Sequence, residues 1–249
     1  MKDTFVFVHG AWLGAWCWDK VIPLLEEKGY KGIALDLPGH GKSETGIEGQ
    51  DIHTYAAYVA EVLRAQSEPV ILVAHSMGGM SVSEAAGMVP EKVKKLVYVT
   101  AFLPKDGQSN NFCEGDPNGI QPMDWKGVAK SGPGVNMNED ETIMWLDDPL
   151  AIALLYNDLP EEEAKEACRY HGKETVAAPY TRVRLTPAFD AIPKYYVRCT
   201  RDNILTPDIQ EKMIQATPVE KIFDIDSGHC PYLSRPEELA EILAGIGEE

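Results

Sequence analysis

The serine at position 76 stands in the stretch LVAHSMGGM, residues 72 to 80, among small residues. A nucleophilic serine of the G-x-S-x-G kind occupies a tight turn between a strand and a helix, and the small residues let the two backbones approach closely. Here Ala74 replaces the first glycine, while Gly78 keeps the second position clear. The stretch therefore predicts that Ser76 is a nucleophile on a relaxed form of this turn. A buried serine that caps a helix is the alternative.

A serine nucleophile needs a histidine that takes its proton and a carboxylate that orients the imidazole. His229 follows the last predicted strand and Asp202 follows the strand before it. Loops at these places project over the carboxyl edge of a parallel sheet, which is also where the serine turn lies. We therefore predict His229 as the base and Asp202 as its partner. The competing carboxylates are Asp208, Asp224 and Asp226.

The oxyanion of an acyl-transfer intermediate needs two backbone N–H groups that are aimed before the reaction. Met77, directly after the serine, is predicted to supply one of them. The loop HGAW, residues 9 to 12, is predicted to supply the other through Ala11. A purely structural turn is the alternative for this loop. His9 and His75 flank the region and are expected to shape its turns.

Short apolar runs alternate with helical segments over most of the chain. The runs cover residues 4–8, 31–36, 69–74, 95–100, 194–199 and 221–226. Helical spacing covers residues 18–28, 51–66, 76–88, 207–216 and 236–244. Apolar residues on successive positions are typical of strands that are buried on both faces. The alternation predicts one α/β domain, residues 1–249, with a doubly wound, mostly parallel sheet of about six strands.

The region from about residue 105 to 185 breaks this alternation with turns rich in Gly, Pro and Asn and without a clear core strand. Structureless loops of that length are uncommon, so we predict a cap that is inserted before the last two strands and covers the carboxyl edge of the sheet. Trp125 and Trp145 of the cap, with Trp12 of the first loop, are candidates for lining a substrate pocket. The cap tryptophans could instead fill a small core of their own.

The formal net charge of the 249 residues is −16. Such a surface repels phosphate backbones and anionic membranes, which argues against nucleic-acid and membrane partners. The apolar runs are far shorter than the roughly 20 residues that cross a bilayer, and the first residues do not resemble a secretory signal. Five irregularly spaced cysteines without a C-x-x-C pair predict reduced thiols in the cytoplasm and no metal site. A homodimer is left open.

With these residues in place, the chain resembles the α/β-hydrolase superfamily over nearly its whole length. In that fold the triad runs in the order serine, aspartate, histidine, as it does here. Residues 5–43, which contain HGAW and DLPGHGKS, are similar to the plant methylesterase and hydroxynitrile lyase group and to related bacterial carboxylesterases. The resemblance implies an esterase without a cofactor that acts on small, often aromatic or alkyl, esters.

Two positions separate the branches of this group. The lyases carry a threonine where this chain has Gly10, and a lysine after the catalytic histidine where it has Cys230. Without that ammonium, departing cyanide loses its electrostatic support. We therefore predict a serine carboxylesterase that works through an acyl-enzyme on a small-molecule ester. The alternatives are a hydroxynitrile lyase or C–C bond hydrolase on the same residues, and a ligand-binding module on a hydrolase fold.

Overall fold

The computed structural model describes residues 2–111, 119–121 and 134–249. Its strands are β1 (Thr4–Val8), β2 (Lys31–Leu35), β3 (Val70–Ser76), β4 (Val93–Ala101), β5 (Ser109–Asn111), β6 (Gly119–Gln121), β7 (Val135–Met137), β8 (Ile143–Leu146), β9 (Glu174–Thr175), β10 (Lys194–Cys199) and β11 (Lys221–Ile225). Its helices are α1 (Val21–Glu27), α2 (Ile52–Arg64), α3 (Gly78–Met88), α4 (Asp148–Leu154), α5 (Glu161–Cys168), α6 (Pro187–Asp190), α7 (Pro207–Ala216), α8 (Pro231–Ser234) and α9 (Pro236–Glu248). Short 3-10 turns cover Ala15–Trp18, Pro90–Lys92 and Ala178–Tyr180.

The central sheet has six strands in the order β11-β10-β4-β3-β1-β2, and all of its neighbouring pairs are parallel. Each of the six apolar runs of the sequence forms one of these strands, so the predicted α/β fold with a parallel sheet is confirmed. All residues of β3 are buried, whereas the edge strands β2 and β11 are largely accessible. Central strands covered on both faces need apolar residues on successive positions, and this need produces the continuous runs.

Helix pairs cover the sheet, with α1 packed against α9 and α2 against α3. Helix α2 begins where the sequence predicts, because the Asp51 side chain accepts the N–H of Thr54 and the Thr54 hydroxyl accepts the N–H of Asp51. The predicted first helix begins later, at Val21, because the residues before it form a separate 3-10 turn. The third helix begins at Gly78, since Ser76 is still part of β3.

The inserted region lies between β4 and β10, as predicted, and its described part holds two small sheets. Strands β5 and β6 form a parallel pair, and β7, β8 and β9 form an antiparallel sheet. These strands have two to four residues and none joins the central sheet. The cap boundaries and the single domain stay predictions. Trp125 lies outside the described residues.

The longest helices of the described ranges, α2 and α9, have 13 residues each. No helix there has both the length and the apolar composition that a bilayer crossing requires.

Candidate active site

Ser76 ends strand β3, and helix α3 starts two residues later. Its backbone φ is +51°, a region that residues other than glycine rarely adopt. The chain approaches other backbone closely here, because a Cβ at Gly78 would lie 2.5 Å from the carbonyl oxygen of His9. Ala74 is completely buried within the strand, so a methyl group is accommodated on that side. The turn therefore has the strand, strain and close packing of a nucleophile elbow.

Asp202 and His229, from the loops after β10 and β11, meet in the interior. Nδ1 of His229 donates to Oδ2 of Asp202 over 2.7 Å, and both side chains are fully buried. Oδ1 of Asp202 accepts the backbone N–H groups of Ile204 and Leu205 at 2.7 and 3.0 Å. The hydroxyl of Thr100 donates to Oδ2 as well. The carboxylate is thus held on both oxygens, and it fixes one nitrogen of the imidazole.

Thr100 was not found by sequence reasoning. It lies near the end of β4, where the register against β3 shifts between His75 and Ser76. Its φ is +35°, a strained value for a β-branched residue. A strand end is the only signal that the sequence offers for this residue, since the strain and the partner Asp202 arise from the packing of three strands.

The other nitrogen of His229, Nε2, is buried and has no hydrogen-bond partner in the described part of the chain. The backbone of His229 is anchored to the elbow, because Nε2 of His75 donates to the His229 carbonyl over 2.7 Å. The two imidazole rings lie 4.6 Å apart between centroids. His75 directly precedes Ser76, so this contact holds the loop of the predicted base against the turn of the predicted nucleophile.

His9 and His75 are buried as neutral imidazoles beside this turn. Burial, with a smaller contribution from His40, lowers the pKa of His9 to about 3. The hydrogen bonds agree, since Nδ1 of His9 donates to the Gly10 carbonyl while Nε2 accepts the N–H of Leu37. Burial and then the neighbouring His229 hold the pKa of His75 well below its ordinary value. Both residues therefore shape the turns as expected and carry no charge at neutral pH.

Ser76, Ala11 and Met77 line one small cavity. Its described walls consist of Ala11, Trp12, Ser76, Met77, Phe102, Asn110, Asn111, Met144, Pro179 and Ile204. Its volume is about 20 Å³, space for about a single water molecule. Among the described residues, no acceptor is bonded to the N–H of Ala11 or Met77. The side-chain oxygen of Asn110 is buried and has no hydrogen-bond partner in the described part of the chain.

Of the predicted pocket tryptophans, Trp12 lines this cavity and Trp145 does not. Strand β8 contributes Met144 instead, and consecutive side chains of a strand point to opposite faces. The ammonium of Lys173 lies 5.1 Å from the centre of the Trp145 ring. The cavity-lining residues of the cap and of the loop after β4 were not predicted from the sequence, because their spacing follows no recognisable pattern.

A buried ion pair joins the inserted region to the core. Nε2 of His40 donates to Glu174 over 3.1 Å and Nδ1 donates to the Pro38 carbonyl over 3.1 Å, so the imidazole carries both protons. Glu174, on β9, also accepts the hydroxyl of Tyr55 from α2 at 2.7 Å. The His40 and His9 rings lie 5.0 Å apart, which places this ion pair next to the first loop of the site.

A serine on a tight turn between a parallel strand and a helix is characteristic of α/β-hydrolases. The fold and the site together define this class of protein. Residues 5–242 match the family described as the alpha/beta hydrolase family, to which the chain therefore belongs.

The curated relatives confirm the resemblance to plant methylesterases. Methylesterase 9 of Arabidopsis thaliana is 30% identical over 98% of this chain and 98% of the relative. Methylesterase 7 of the same plant is 31% identical over 100% of this chain and 97% of the relative. A longer, chloroplastic relative is 33% identical over 98% of this chain, which spans 64% of that relative's length. A solved pyrethroid hydrolase from Sphingobium faniae JZ-2 has a TM-score of 0.83 and 27% identity, over 99% of this chain and 97% of that one.

Proposed function

We propose that this protein is a serine carboxylesterase in which Ser76 is the nucleophile, His229 the base and Asp202 the residue that orients it. The observation that carries the proposal is the state of His229. Its Nδ1–H is bonded to Asp202, and its backbone carbonyl accepts a hydrogen bond from His75, the residue before Ser76. Its Nε2 is buried and has no partner among the residues that the structure describes. An imidazole held in this tautomer has its basic nitrogen free for a proton.

In the proposed reaction, Nε2 of His229 takes the hydroxyl proton while Oγ of Ser76 bonds to the ester carbonyl carbon. The carbonyl oxygen becomes an oxyanion and is bound by the N–H groups of Ala11 and Met77. His229 then returns the proton to the leaving alcohol as the C–O bond breaks. Water attacks the acyl-enzyme in the same way and releases the acid and Ser76. The negative charge of Asp202 stabilises the imidazolium in both halves.

The proposed substrate is a small ester, and methyl esters are the preferred candidates. The names of the curated relatives support a methyl leaving group, and the small cavity beside Ser76 favours a small group there. The side-chain oxygen of Asn110, which has no partner among the described residues, can accept a hydrogen bond from a hydroxyl or amino group of the substrate. The proposed activity needs no metal, because backbone N–H groups supply the charge stabilisation.

Replacement of the nucleophile tests the proposal. We expect Ser76→Ala to fold normally and to lose turnover of p-nitrophenyl acetate by roughly 10⁴-fold or more, which is what loss of a triad member costs. A fluorescent alkyl phosphonate should label the wild type at Ser76 and leave the variant unlabelled. Ser81→Ala is the matched control, since Ser81 is a buried serine of α3, the helix after the elbow, and its hydroxyl donates to the Gly78 carbonyl.

A Ser76→Ala protein that keeps more than about a tenth of wild-type turnover would exclude Ser76 as the nucleophile. A ligand-binding module without catalysis would show neither the label nor the initial burst of p-nitrophenol that an acyl-enzyme gives.

A hydroxynitrile lyase is the second candidate, and Gly10 is the observation that bears on it. A Cβ at Gly10 would lie 2.6 Å from Cβ of Ser76, so a threonine there has no room unless the serine moves. Cys230, the residue after His229, is completely buried and accepts the hydroxyl of Tyr232, so this position supplies no ammonium. Both features favour ester hydrolysis.

We therefore expect the wild type to hydrolyse p-nitrophenyl acetate and to cleave mandelonitrile little faster than buffer. Gly10→Thr should lower ester hydrolysis by at least about tenfold, because displacing a reacting atom by about 1 Å costs that much or more. Paired rates on the two substrates at one pH measure this. Rapid mandelonitrile cleavage by the wild type would favour the lyase and leave the catalytic group in place.

A further inference from the structure

Three metal-binding side chains converge at the junction of α4 and α5. They are Asp148 at the start of α4, Cys168 at the end of α5, and His171 three residues later. Their donor atoms all lie within 4.8 Å of one another, and Nε2 of His171 is 3.9 Å from Oδ1 of Asp148. No other group of three such donors occurs in the described ranges.

The burial of these residues suits a binding site. Cys168 is buried, and the His171 side chain is only 10% exposed. The imidazole is therefore held largely out of solvent, with Nε2 as the nitrogen that lies near Asp148. Asp148 is 69% exposed, so its carboxylate can rotate toward the other two donors.

The donor set selects the metal. A thiolate and an imidazole favour zinc over magnesium or calcium, which prefer oxygen. Bond lengths of about 2.3 Å to sulfur and about 2.0 Å to nitrogen or oxygen place tetrahedral ligands roughly 3.5 Å apart. The three donors therefore need to close by about 1 Å, and the exposed carboxylate can supply most of this movement. Water would take the fourth position.

We propose that Asp148, Cys168 and His171 form a zinc site in the inserted region. The Cys168 thiol loses its proton to solvent when it binds the ion. The site adjoins the loop HGAW of the candidate active site, because the N–H of Gly172, the residue after His171, donates to the Trp12 carbonyl over 2.6 Å. Zinc therefore fixes α4, α5 and the peptide that holds Trp12 beside the cavity. This site uses a single cysteine, which is why the cysteine spacing of the sequence did not indicate it.

Zinc titration of the metal-free full chain, in competition with a chelating dye, tests the proposal. We expect one equivalent to bind, and Cys168→Ser and His171→Gln to weaken binding at least tenfold. Asp148→Asn should weaken it less, and because this residue is exposed the variant should fold as the wild type does. Cys199→Ser and Cys113→Ser are the controls and should bind as the wild type does. The melting temperature should rise with zinc in the wild type and stay constant in Cys168→Ser.

Cobalt provides the independent readout. Co²⁺ bound by a thiolate shows a sulfur-to-metal charge-transfer band in the near ultraviolet, which Cys168→Ser should remove. Zinc affinity that is equal in the wild type, Cys168→Ser and His171→Gln would overturn the proposal. So would a cobalt complex without the band, or loss of binding in Cys113→Ser. None of these measurements depends on the esterase reaction.

Discussion

At the scale of single residues, the site is where backbone strain concentrates. Four described residues other than glycine have positive φ, and Trp12, Ser76 and Thr100 lie at the site. Strained conformations cost about 1–3 kcal/mol each and persist only when surrounding contacts hold them. For Thr100 that contact is the carboxylate of Asp202, which also orients His229. Thr100 is therefore expected to act through Asp202 as a positioning residue.

Replacement of Thr100 by valine removes the hydroxyl and keeps the shape. We expect kcat of Thr100→Val to fall about tenfold to a hundredfold, the value of one hydrogen bond to a charged group, with KM little changed. Thr100→Ser keeps the donor and should restore most of kcat. Steady-state kinetics on p-nitrophenyl acetate, with melting temperatures of all three proteins, measure this. Equal kcat in the valine and serine variants would show that the hydroxyl has no positioning role.

At the scale of elements, the inserted region is held to the core by a buried charge. Burial alone would lower the pKa of His40, but the charge and hydrogen bond of Glu174, with the Pro38 carbonyl, raise it. A histidine whose folded pKa is raised contributes stability below its unfolded value of about 6.5 and loses it as pH rises through the folded value. The link between β9 and the core is therefore expected to be strongest in mildly acidic solution.

Glu174→Gln removes the charge from this link and keeps the side-chain shape. We expect the free energy of unfolding to fall by about 2 kcal/mol at pH 6, because the imidazolium of His40 loses its charged acceptor. The deficit should be smaller at pH 8.5, because the imidazolium of the wild type loses its proton, and this contribution with it, as pH rises. Urea unfolding at both pH values measures it. Glu163→Gln, which breaks a half-exposed pair with Lys20, should cost about 0–1 kcal/mol at either pH. A Glu174→Gln deficit that is independent of pH would contradict the charged state of His40.

At the scale of the whole molecule, neutral buried histidines set the response to acid. His9 and His75 have lowered folded pKa values, so the unfolded chain binds their protons first as pH falls below about 6.5. The stability that these two residues give is present above that pH and is lost below it. The loss amounts to as much as about 1.4 kcal/mol per pH unit for each residue.

Stability measured by urea unfolding should therefore fall between pH 6.5 and 5.0. His75→Gln keeps a donor for the His229 carbonyl. It should reduce the number of protons taken up on unfolding by about one, and so reduce the slope of the free energy of unfolding against pH. His53→Gln is the control, because the His53 side chain is partly accessible and its Nδ1 is bonded to Glu84. A wild-type stability that stays constant over this range would show that the two imidazoles are not neutral in the folded protein.

The sequence by itself determined the architecture and pointed to the residues of the proposed catalytic group. The six strands, the start of α2 at its cap and the elbow around Ser76 all follow from patterns within a few residues of each other. Such patterns are readable because burial on both faces, helix capping and tight turns each demand particular residue types locally. The positions of Asp202 and His229 followed from the rule that such loops meet at the carboxyl edge of a parallel sheet.

Only the tertiary structure decided what surrounds these residues. Thr100 and its strained backbone, the pairing of His40 with Glu174, and Met144 rather than Trp145 at the cavity depend on contacts between segments far apart in the chain. A shift of one residue along a strand moves every side chain to the opposite face. The face that a given residue occupies is therefore determined only by how its strand pairs with the neighbouring strand. In the inserted region the strands are short and the pattern is irregular, so the sequence carried no local signal from which these contacts could be predicted.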